Sequence, residues 1–373
     1  MQSERKCGKL GHLQRRARRK LAKASIAVGV LLSACTTWPE TAPRPTTGTM
    51  RTEGRHIYTA AGERVILRGV NEMLSISSDP AGDWVMAEIG KTGANAVRIF
   101  TRTEYPADKL DRAITNAIHN GMIPIPECHN ATGKWELLQE CVSYWTRPDV
   151  AEVIRRHRRW VLLNIANEAG ATVDRAAFVA GYRSAVQQIR AAKIDVPLVV
   201  DGSGWGQEHD MLLGTWSELN EYDPQQKMIV SSHSYWIGTE EERKAHYRSI
   251  IDRVTRENIP FILGEGPTPS GYDCSPSPYQ WAMTELDRAQ IGWLAWSWGL
   301  VSNGDCREAN RYDMTHGGKF GRWKTAAGEQ LAVSHPASIR NTARRPCSII
   351  RETGLAGRRS GNCIEPASLR TRD

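Results

Sequence analysis

Short runs of apolar and β-branched residues recur along the chain, and their starts lie about thirty to forty residues apart. Each run has the length of a strand and is bounded by polar residues, glycine or proline. The pattern predicts eight strands, over residues 65–70, 94–100, 122–126, 161–166, 198–201, 228–232, 261–263 and 291–295.

Helical periodicity fills several of the intervals between these runs, at 108–120, 175–193, 240–257 and 278–290. Eight strand-then-helix units predict an α/β protein, specifically a (β/α)8 TIM barrel with a single catalytic domain over 51–333. Strands that are apolar without strict alternation suit a parallel sheet buried on both faces. An open doubly wound sheet is the competing layout, but no GxGxxG turn follows an early strand.

The net charge of +8 comes from the first 24 residues, which hold nine Lys or Arg against Glu4 alone. The rest of the chain is neutral overall. Residues from 334 onward carry eight Arg against three acids, so the central body is acidic. A neutral polymer substrate therefore fits this body better than nucleic acid.

The N-terminus is typical of an export signal: the basic region is followed by an apolar run at 25–32 and then by Ser33, Ala34 and Cys35. Residues 32–35 resemble the lipobox of bacterial lipoproteins, in which the cysteine is lipidated. We therefore expect a signal over 1–34, a lipid anchor on Cys35 and a Thr/Pro-rich tether over 35–50. A plain signal peptide is the alternative, which would make the protein secreted rather than anchored to the cell envelope.

Six further cysteines form an even set, which in an exported protein indicates disulfides. Sequence proximity favours three pairs, although fifteen connectivities are formally possible. The candidate pairs are Cys128 with Cys141, Cys274 with Cys306, and Cys347 with Cys363. No CxxC spacing of the zinc type occurs among them, so no metal site is expected.

Side chains just past the carboxyl ends of barrel strands line the catalytic mouth. Six of the eight predicted strands carry a polar or aromatic group there: Arg98, His129, Asn167, Glu168, His233, Tyr235, Glu265, Trp296 and Trp298. Two of these, Glu168 and Glu265, are carboxylates at rigid strand ends. Hydrolysis of a glycosidic bond needs such a pair, one to protonate the leaving oxygen and one to stabilise or attack the anomeric carbon.

These motifs resemble glycoside hydrolase family 5, a clan of retaining (β/α)8 β-glycanases, over roughly residues 64–323. The matching segments are NAVRI at 95–99, NIANE at 164–168, HSY at 233–235, GEG at 264–266 and AWSWG at 295–299. The resemblance implies that Glu265 is the nucleophile and Glu168 the acid/base. It also places the conserved eighth-strand tryptophan on Trp296.

A finer resemblance, to bacterial endo-β-1,4-mannanases, rests on HNATG at 129–133, SYW at 143–145, DGSGWGQ at 201–207 and WLAWSWG at 293–299. The chain departs from that pattern at Asn130, where those enzymes usually have Asp, and at Ala169, where Pro or Trp is common. The resemblance implies hydrolysis of mannan or glucomannan. The alternatives are an endo-β-1,4-glucanase and a non-catalytic glycan-binding lipoprotein.

For this chemistry Arg98 and Tyr235 are expected to keep Glu265 ionised, because a positive charge and a hydroxyl donor both lower the pKa of a carboxyl group. Asn167 is expected to bond the sugar 2-hydroxyl, and His129 and His233 to hold hydroxyls and the carboxyl network. The chain holds thirteen Trp against four Phe. The tryptophans chosen as sugar-stacking candidates follow strands three, five, six and eight: Trp135, Trp205, Trp236 and Trp298.

We expect a monomer that binds a β-1,4-glycan, needs no cofactor and contacts the membrane only through its anchor. The basic C-terminal extension, 334–373, has no assigned role. Two alternatives are open for it. It is either a poorly ordered extension stapled by Cys347 and Cys363, or a segment that attracts an anionic envelope surface.

Overall fold

Eight parallel strands close into a barrel in the computed structural model, which describes residues 48–303, 306, 312–355 and 363–366. A small antiparallel sheet precedes it, made of β1 (Arg51–Glu53), β2 (His56–Tyr58) and β3 (Arg64–Val65). The barrel strands are β4 (Arg68–Glu72), β5 (Ala96–Thr101), β6 (Ile123–Cys128), β7 (Leu163–Asn164), β8 (Leu198–Asp201), β9 (Met228–His233), β10 (Phe261–Glu265) and β11 (Gly292–Ala295).

Each barrel strand pairs with its neighbours in chain order, and β11 pairs with β4 to close the ring. The (β/α)8 barrel is thereby confirmed. The first predicted strand, 65–70, differs in detail. Its first residue, Val65, belongs to β3, which pairs antiparallel with β2, and the barrel strand starts only at Arg68. An apolar run cannot show that the chain changes sheets within it.

Helices follow the strands and cover the outside of the barrel. They are α1 (Val85–Gly90), α2 (Ala107–His119), α3 (Leu138–Thr146), α4 (Pro148–Arg156), α5 (Arg175–Ala191), α6 (His209–Tyr222), α7 (Glu240–Glu257) and α8 (Tyr279–Arg288). The start of α7 is fixed by a capping box, in which the side chains of Thr239 and Glu242 bond each other's backbone amides. In the described part of the chain, no helix is long and apolar enough to span a bilayer.

The described part of the C-terminal extension packs against the barrel. α9 (Ala326–Glu329) and a π-helical turn (Gln330–Ser334) lead into it, and the extension itself contains α10 (Ile339–Thr342) and α11 (Cys347–Thr353). Ile339 and Ile349 are fully buried, and the backbone amide of Ser348 donates to the buried carboxylate of Glu63 at 2.7 Å. The described part of the extension is therefore folded against the barrel, whereas residues 356–362 and 367–373 lie outside the described residues and the role of the extension stays unassigned.

The three predicted disulfides are all present, linking Cys128 with Cys141, Cys274 with Cys306, and Cys347 with Cys363. The first ties the end of β6 to α3, and the second joins the loops that follow β10 and β11. The predicted signal, the anchor Cys35 and residues 36–47 of the tether lie outside the described residues.

Candidate active site

Arg98 is the centre of a buried polar network inside the barrel mouth. Its side chain is 1 % exposed and points inward from β5. The guanidinium uses all three nitrogens as donors, to the side chains of Asn71, Asn164, Asn167, Asp201 and Glu265 at 2.6–3.1 Å. A planar five-donor group suits this task, because it fixes several acceptors at once in set directions.

Glu265 ends β10 next to a register irregularity, where the pairing with β9 shifts between Leu263 and Glu265. Its carboxylate receives one bond from Arg98 at 2.9 Å and another from the Tyr235 hydroxyl at 2.7 Å. Both contacts agree with the prediction that these two residues support an ionised Glu265. Burial raises the pKa of Glu265, and the Arg98 charge and the Tyr235 hydroxyl oppose that rise.

Glu168 follows β7 with a φ of 45°, a left-handed backbone conformation that is uncommon for a residue with a Cβ. Two contacts hold it there: its amide donates to Asp201 at 3.3 Å, and its carbonyl accepts from Gly133 at 3.0 Å. Its carboxyl Oε1 lies 2.7 Å from His233 Nδ1. Local backbone strain of this kind is common at functional sites, where it aims a side chain.

The two carboxyl groups are close but differ in their surroundings. One oxygen of each, together with a His233 nitrogen, lies within 4.8 Å of the others. Burial raises the pKa of Glu168 well above its usual value, and the negative charge of Glu265 adds to that rise. The guanidinium bonds Glu265 directly and not Glu168. The shared proton of the pair therefore belongs on Glu168.

His233 is fully buried, and burial and the Arg98 charge lower its pKa well below the usual value. The ring is therefore neutral, and it can either accept from a protonated Glu168 or donate to the ionised form. His129 lies across the mouth. Its Nδ1 is 3.0 Å from Glu127 Oε1, and its ring packs on Phe100 at 4.0 Å between centroids.

An open cleft of about 780 Å³ lies over the carboxyl pair. Of the predicted site residues, the cleft is lined by His129, Glu168, Trp205, Tyr235, Glu265 and Trp296. Trp205 is 47 % exposed and offers a flat face to a sugar. The exposed Tyr272 and Ile237 extend the same wall.

Three tryptophans predicted to stack on sugar pack elsewhere, so those predictions are wrong. Trp135 stacks on Phe178 of α5, Trp236 stacks on His246 of α7 at 4.8 Å, and Trp298 is fully buried with its indole N–H on Gly318 O at 2.8 Å. All follow a strand closely, but each turns away from the mouth. Position after a strand does not tell which way a side chain turns.

Asn167 is also fully buried, with its oxygen bonded to Arg98 and its Nδ2 donating to Thr132 at 2.8 Å. Its contact with a sugar hydroxyl stays a prediction. Asn130 departs from the mannanase pattern, and it bonds Thr103 through both side-chain atoms, away from the carboxyl pair.

Sequence reasoning missed Glu127 and Asp201 as members of the network. Both are fully buried, and both lie at or next to a strand end, on β6 and β8. Arg98 lies 3.0 Å from Asp201 and 3.8 Å from Glu127. Both could have been found from the sequence, since each is a charged residue at the end of an apolar strand. Burying an unpaired charge costs much free energy, so such a residue predicts a charged or hydrogen-bonding partner inside the barrel.

Two groups of side chains in the described residues have metal-ligand geometry. One is the set Glu168, His233 and Glu265 in the barrel mouth, where a cation would occupy both carboxylates. The other combines Glu365 with Cys347 and Cys363, whose sulfurs are already joined in a disulfide. The first group could bind a metal ion, but only at the expense of the free carboxyl pair.

Residues 58–302 match the model of the cellulase family, glycosyl hydrolase family 5. The chain belongs to this family. Among curated relatives, the mannan endo-1,4-beta-mannosidase of Salipaludibacillus agaradhaerens is 28 % identical over 66 % of this chain and 80 % of its own length. The enzyme of that name from Cellvibrio japonicus is 26 % identical over 83 % of this chain and 71 % of its own.

Solved structures support the family 5 fold. A mannotriose complex of the Thermomonospora fusca beta-mannanase covers 81 % of this chain and all of its own, with a TM-score of 0.70 and 24 % identity. The catalytic domain of the Thermobifida fusca endoglucanase Cel5A aligns less well, with a TM-score of 0.52 and 17 % identity. The family 5 barrel expected from the strand-end motifs is confirmed.

Proposed function

We propose that this protein is a retaining endo-β-1,4-mannanase that hydrolyses mannan or glucomannan backbones through Glu265 and Glu168. The observation that carries the proposal is the carboxyl pair, whose nearest oxygens lie within 4.8 Å in unlike surroundings. Retaining glycosidases hold their carboxyl groups about 5 to 5.5 Å apart, so that one can attack the anomeric carbon directly. An inverting enzyme needs room for a water molecule between them.

In the first step the ionised Glu265 attacks the anomeric carbon, and Glu168 gives its proton to the leaving oxygen. The bonds from Arg98 and Tyr235 keep the attacking carboxylate in place and ionised. The raised pKa of Glu168 keeps its proton available near neutral pH. A covalent glycosyl ester forms on Glu265 while the leaving chain departs.

In the second step a water molecule attacks the ester, and Glu168 takes the proton of that water. Once Glu265 is esterified its negative charge is gone, so one of the causes that raised the pKa of Glu168 is removed. Glu168 then ionises more easily and acts as the base. The neutral ring of His233, 2.7 Å away, can donate to the carboxylate in this half of the cycle.

Support for mannan as the substrate comes from the relatives. Three curated matches, at 25–28 % identity, are named mannan endo-1,4-beta-mannosidase.

Export and lipid anchoring belong to the same proposal and rest on the sequence around Cys35. Labelling with a radioactive fatty acid, lost in Cys35→Ser, tests the anchor.

The decisive substrate experiment compares reducing-sugar release from mannan and from carboxymethylcellulose. We expect release from mannan at least tenfold faster, with products several sugars long. Proton NMR of early products should show the β-anomer before mutarotation. Activity on cellulose alone contradicts the substrate, and an initial α-anomer contradicts the retaining mechanism.

The residue roles are separable by chemical rescue. Glu265→Ala and Glu168→Ala should each lower turnover by several orders of magnitude while leaving polymer binding intact. With an aryl mannoside and azide, the first variant should form the α-mannosyl azide and the second the β-mannosyl azide. Glu240→Gln is the matched control, because this α7 carboxylate is exposed and pairs with Lys244 on the outside of the barrel. An unchanged rate in either alanine variant contradicts the assignment.

A further inference from the structure

A second cavity, of about 620 Å³, lies on the face of the barrel opposite the catalytic mouth. Its walls are the end of α1, the turn before β5, the turn before β6 and the C-terminal segment from Arg340 to Leu355. The turns lie at the amino ends of strands, whereas Glu168 and Glu265 lie at carboxyl ends. Occupancy of this cavity therefore leaves the catalytic mouth open.

Among the described residues that line the cavity, four are cations and none is an acid; the cations are Lys91, Arg340, Arg344 and Arg345. Lys91 pairs with Glu88 at 2.8 Å. Within residues 48–303, 306, 312–355 and 363–366, none of the three arginines forms an ion pair with a carboxylate. Three positive charges of this cavity thus lack a counter-charge in the described protein.

Backbone carbonyls hold these arginines in place instead. Arg345 donates to Gly90 O at 2.8 Å and to Ala94 O at 3.0 Å, and Arg340 donates to Lys91 O at 3.1 Å. Arg344 donates to Ala343 O at 2.8 Å. Neutral acceptors orient a guanidinium without neutralising it. Burial accordingly lowers the pKa of Arg345, with no carboxylate to oppose it.

We propose that this cavity is a binding site for a phosphate-class oxyanion, held by Arg340 and Arg344 with Arg345 fixed behind them. Guanidinium groups bind phosphate in a bidentate manner, and a phosphate carries up to two negative charges to offset the three uncompensated positive ones. The cavity is larger than a bare phosphate needs. It therefore has room for the group that carries the phosphate.

The position of the cavity makes an anionic lipid headgroup one of two sources for that phosphate. The described chain begins on the same face, where Lys227, just before β9, donates to Thr49 Oγ1 at 2.7 Å. This source rests on the lipid anchor proposed above for Cys35, which would hold the chain to a membrane from the side on which residue 48 lies. Free phosphate is the other source.

Both sources are tested with the full-length chain carrying Cys35→Ser, which prevents lipidation. Titration with inorganic phosphate by isothermal calorimetry in chloride buffer should give one site. The double variant Arg340→Ala/Arg344→Ala should weaken binding at least tenfold. The control Arg248→Ala/Arg256→Ala removes two exposed arginines of α7 with the same loss of charge. It should bind phosphate as the parent does.

The second arm measures sedimentation with phosphatidylcholine vesicles, with and without phosphatidylglycerol. Loss of vesicle binding in the Arg340/Arg344 variant, but not in the control, assigns the site to lipid headgroups. Loss of phosphate binding alone assigns it to a soluble oxyanion. Equal behaviour of the two double variants in both arms overturns the proposal. If the double variant melts early, Arg344→Gln replaces it, because this side chain is only half-buried.

Discussion

The hydroxyl of Tyr235 is the donor to Glu265 that can be removed with the least disturbance. It lies 2.7 Å from Glu265 Oε2, and both groups are buried. Burial and the neighbouring Glu265 charge raise the pKa of Tyr235 well above its usual value, so the hydroxyl keeps its proton throughout the working range. Tyr235→Phe deletes this donor and leaves the ring.

A hydrogen bond to a charged group contributes about 1.5–3 kcal/mol. The Tyr235 hydroxyl stabilises the ionised form of Glu265 more than the protonated form. Loss of this bond therefore raises the pKa of Glu265 by about 1–2 units, at 1.4 kcal/mol per unit. The first step needs ionised Glu265. The acid limb of kcat/KM should therefore move upward by about 1–2 pH units, and activity at low pH should fall about 10- to 100-fold.

The assay is a pH profile of kcat/KM on a soluble mannan oligosaccharide, measured for the parent and the variant. Tyr144→Phe is the control, since it removes a buried hydroxyl that donates to Tyr105 O, outside the cleft. Its profile should match that of the parent. An acid limb that stays in place in Tyr235→Phe would refute the claim that this hydroxyl holds Glu265 ionised.

Two further predictions concern stability and substrate binding. Burial raises the pKa of Glu72 in the folded protein to about 8. Between the ordinary pKa of this group in the unfolded chain and pH 8, Glu72 is ionised only in the unfolded chain. Its contribution should therefore lower the free energy of unfolding by about 1.4 kcal/mol per pH unit over this range. In urea unfolding at pH 5, 6.5 and 8, the parent should lose about this much more stability per pH unit than Glu72→Gln, because other buried acids such as Glu168 contribute to the slope of both proteins; an equal slope in both proteins contradicts the prediction. Trp205→Ala should raise KM for long mannan oligosaccharides about 5- to 30-fold with little change in kcat. The reason is that loss of a stacking face removes about 1–2 kcal/mol of substrate-binding free energy. An unchanged KM would exclude Trp205 as a residue that stacks on the sugar.

The barrel is predictable from the sequence because the parallel sheet is buried on both faces. Seven of the eight strands overlap their predicted ranges closely, and α7 matches the predicted 240–257. The small sheet β1–β3 was missed, since strands of two or three residues are too short for a periodic signal. The division of residues 65–70 between β3 and β4 depends on pairing with distant strands, which a local sequence pattern does not show.

The proximity of Glu168 and Glu265 is predictable from the sequence, because both follow strands whose carboxyl ends meet at the barrel mouth. The surrounding groups are harder to assign. Trp205 and Trp236 both follow a strand, yet one lines the cleft and the other stacks on His246. The difference depends on the backbone turn after each strand. The left-handed φ of 58° at Trp205 aims its ring outward, and sequence position alone does not reveal it.

The network around Arg98 gives a physical reason for the different roles proposed for Glu168 and Glu265. A single guanidinium lies among Glu127, Asp201 and Glu265, all within 3.8 Å. One positive charge cannot neutralise all of these acids, and ionised acids are costly to bury without a partner. We therefore expect at least one of the buried acids in the barrel mouth to stay protonated. That proton goes to Glu168, whose ionised form receives the least stabilisation. Glu168 bonds the neutral imidazole of His233 rather than the guanidinium. The proposed assignment of Glu168 as acid and Glu265 as nucleophile thus follows from the position of one arginine on β5.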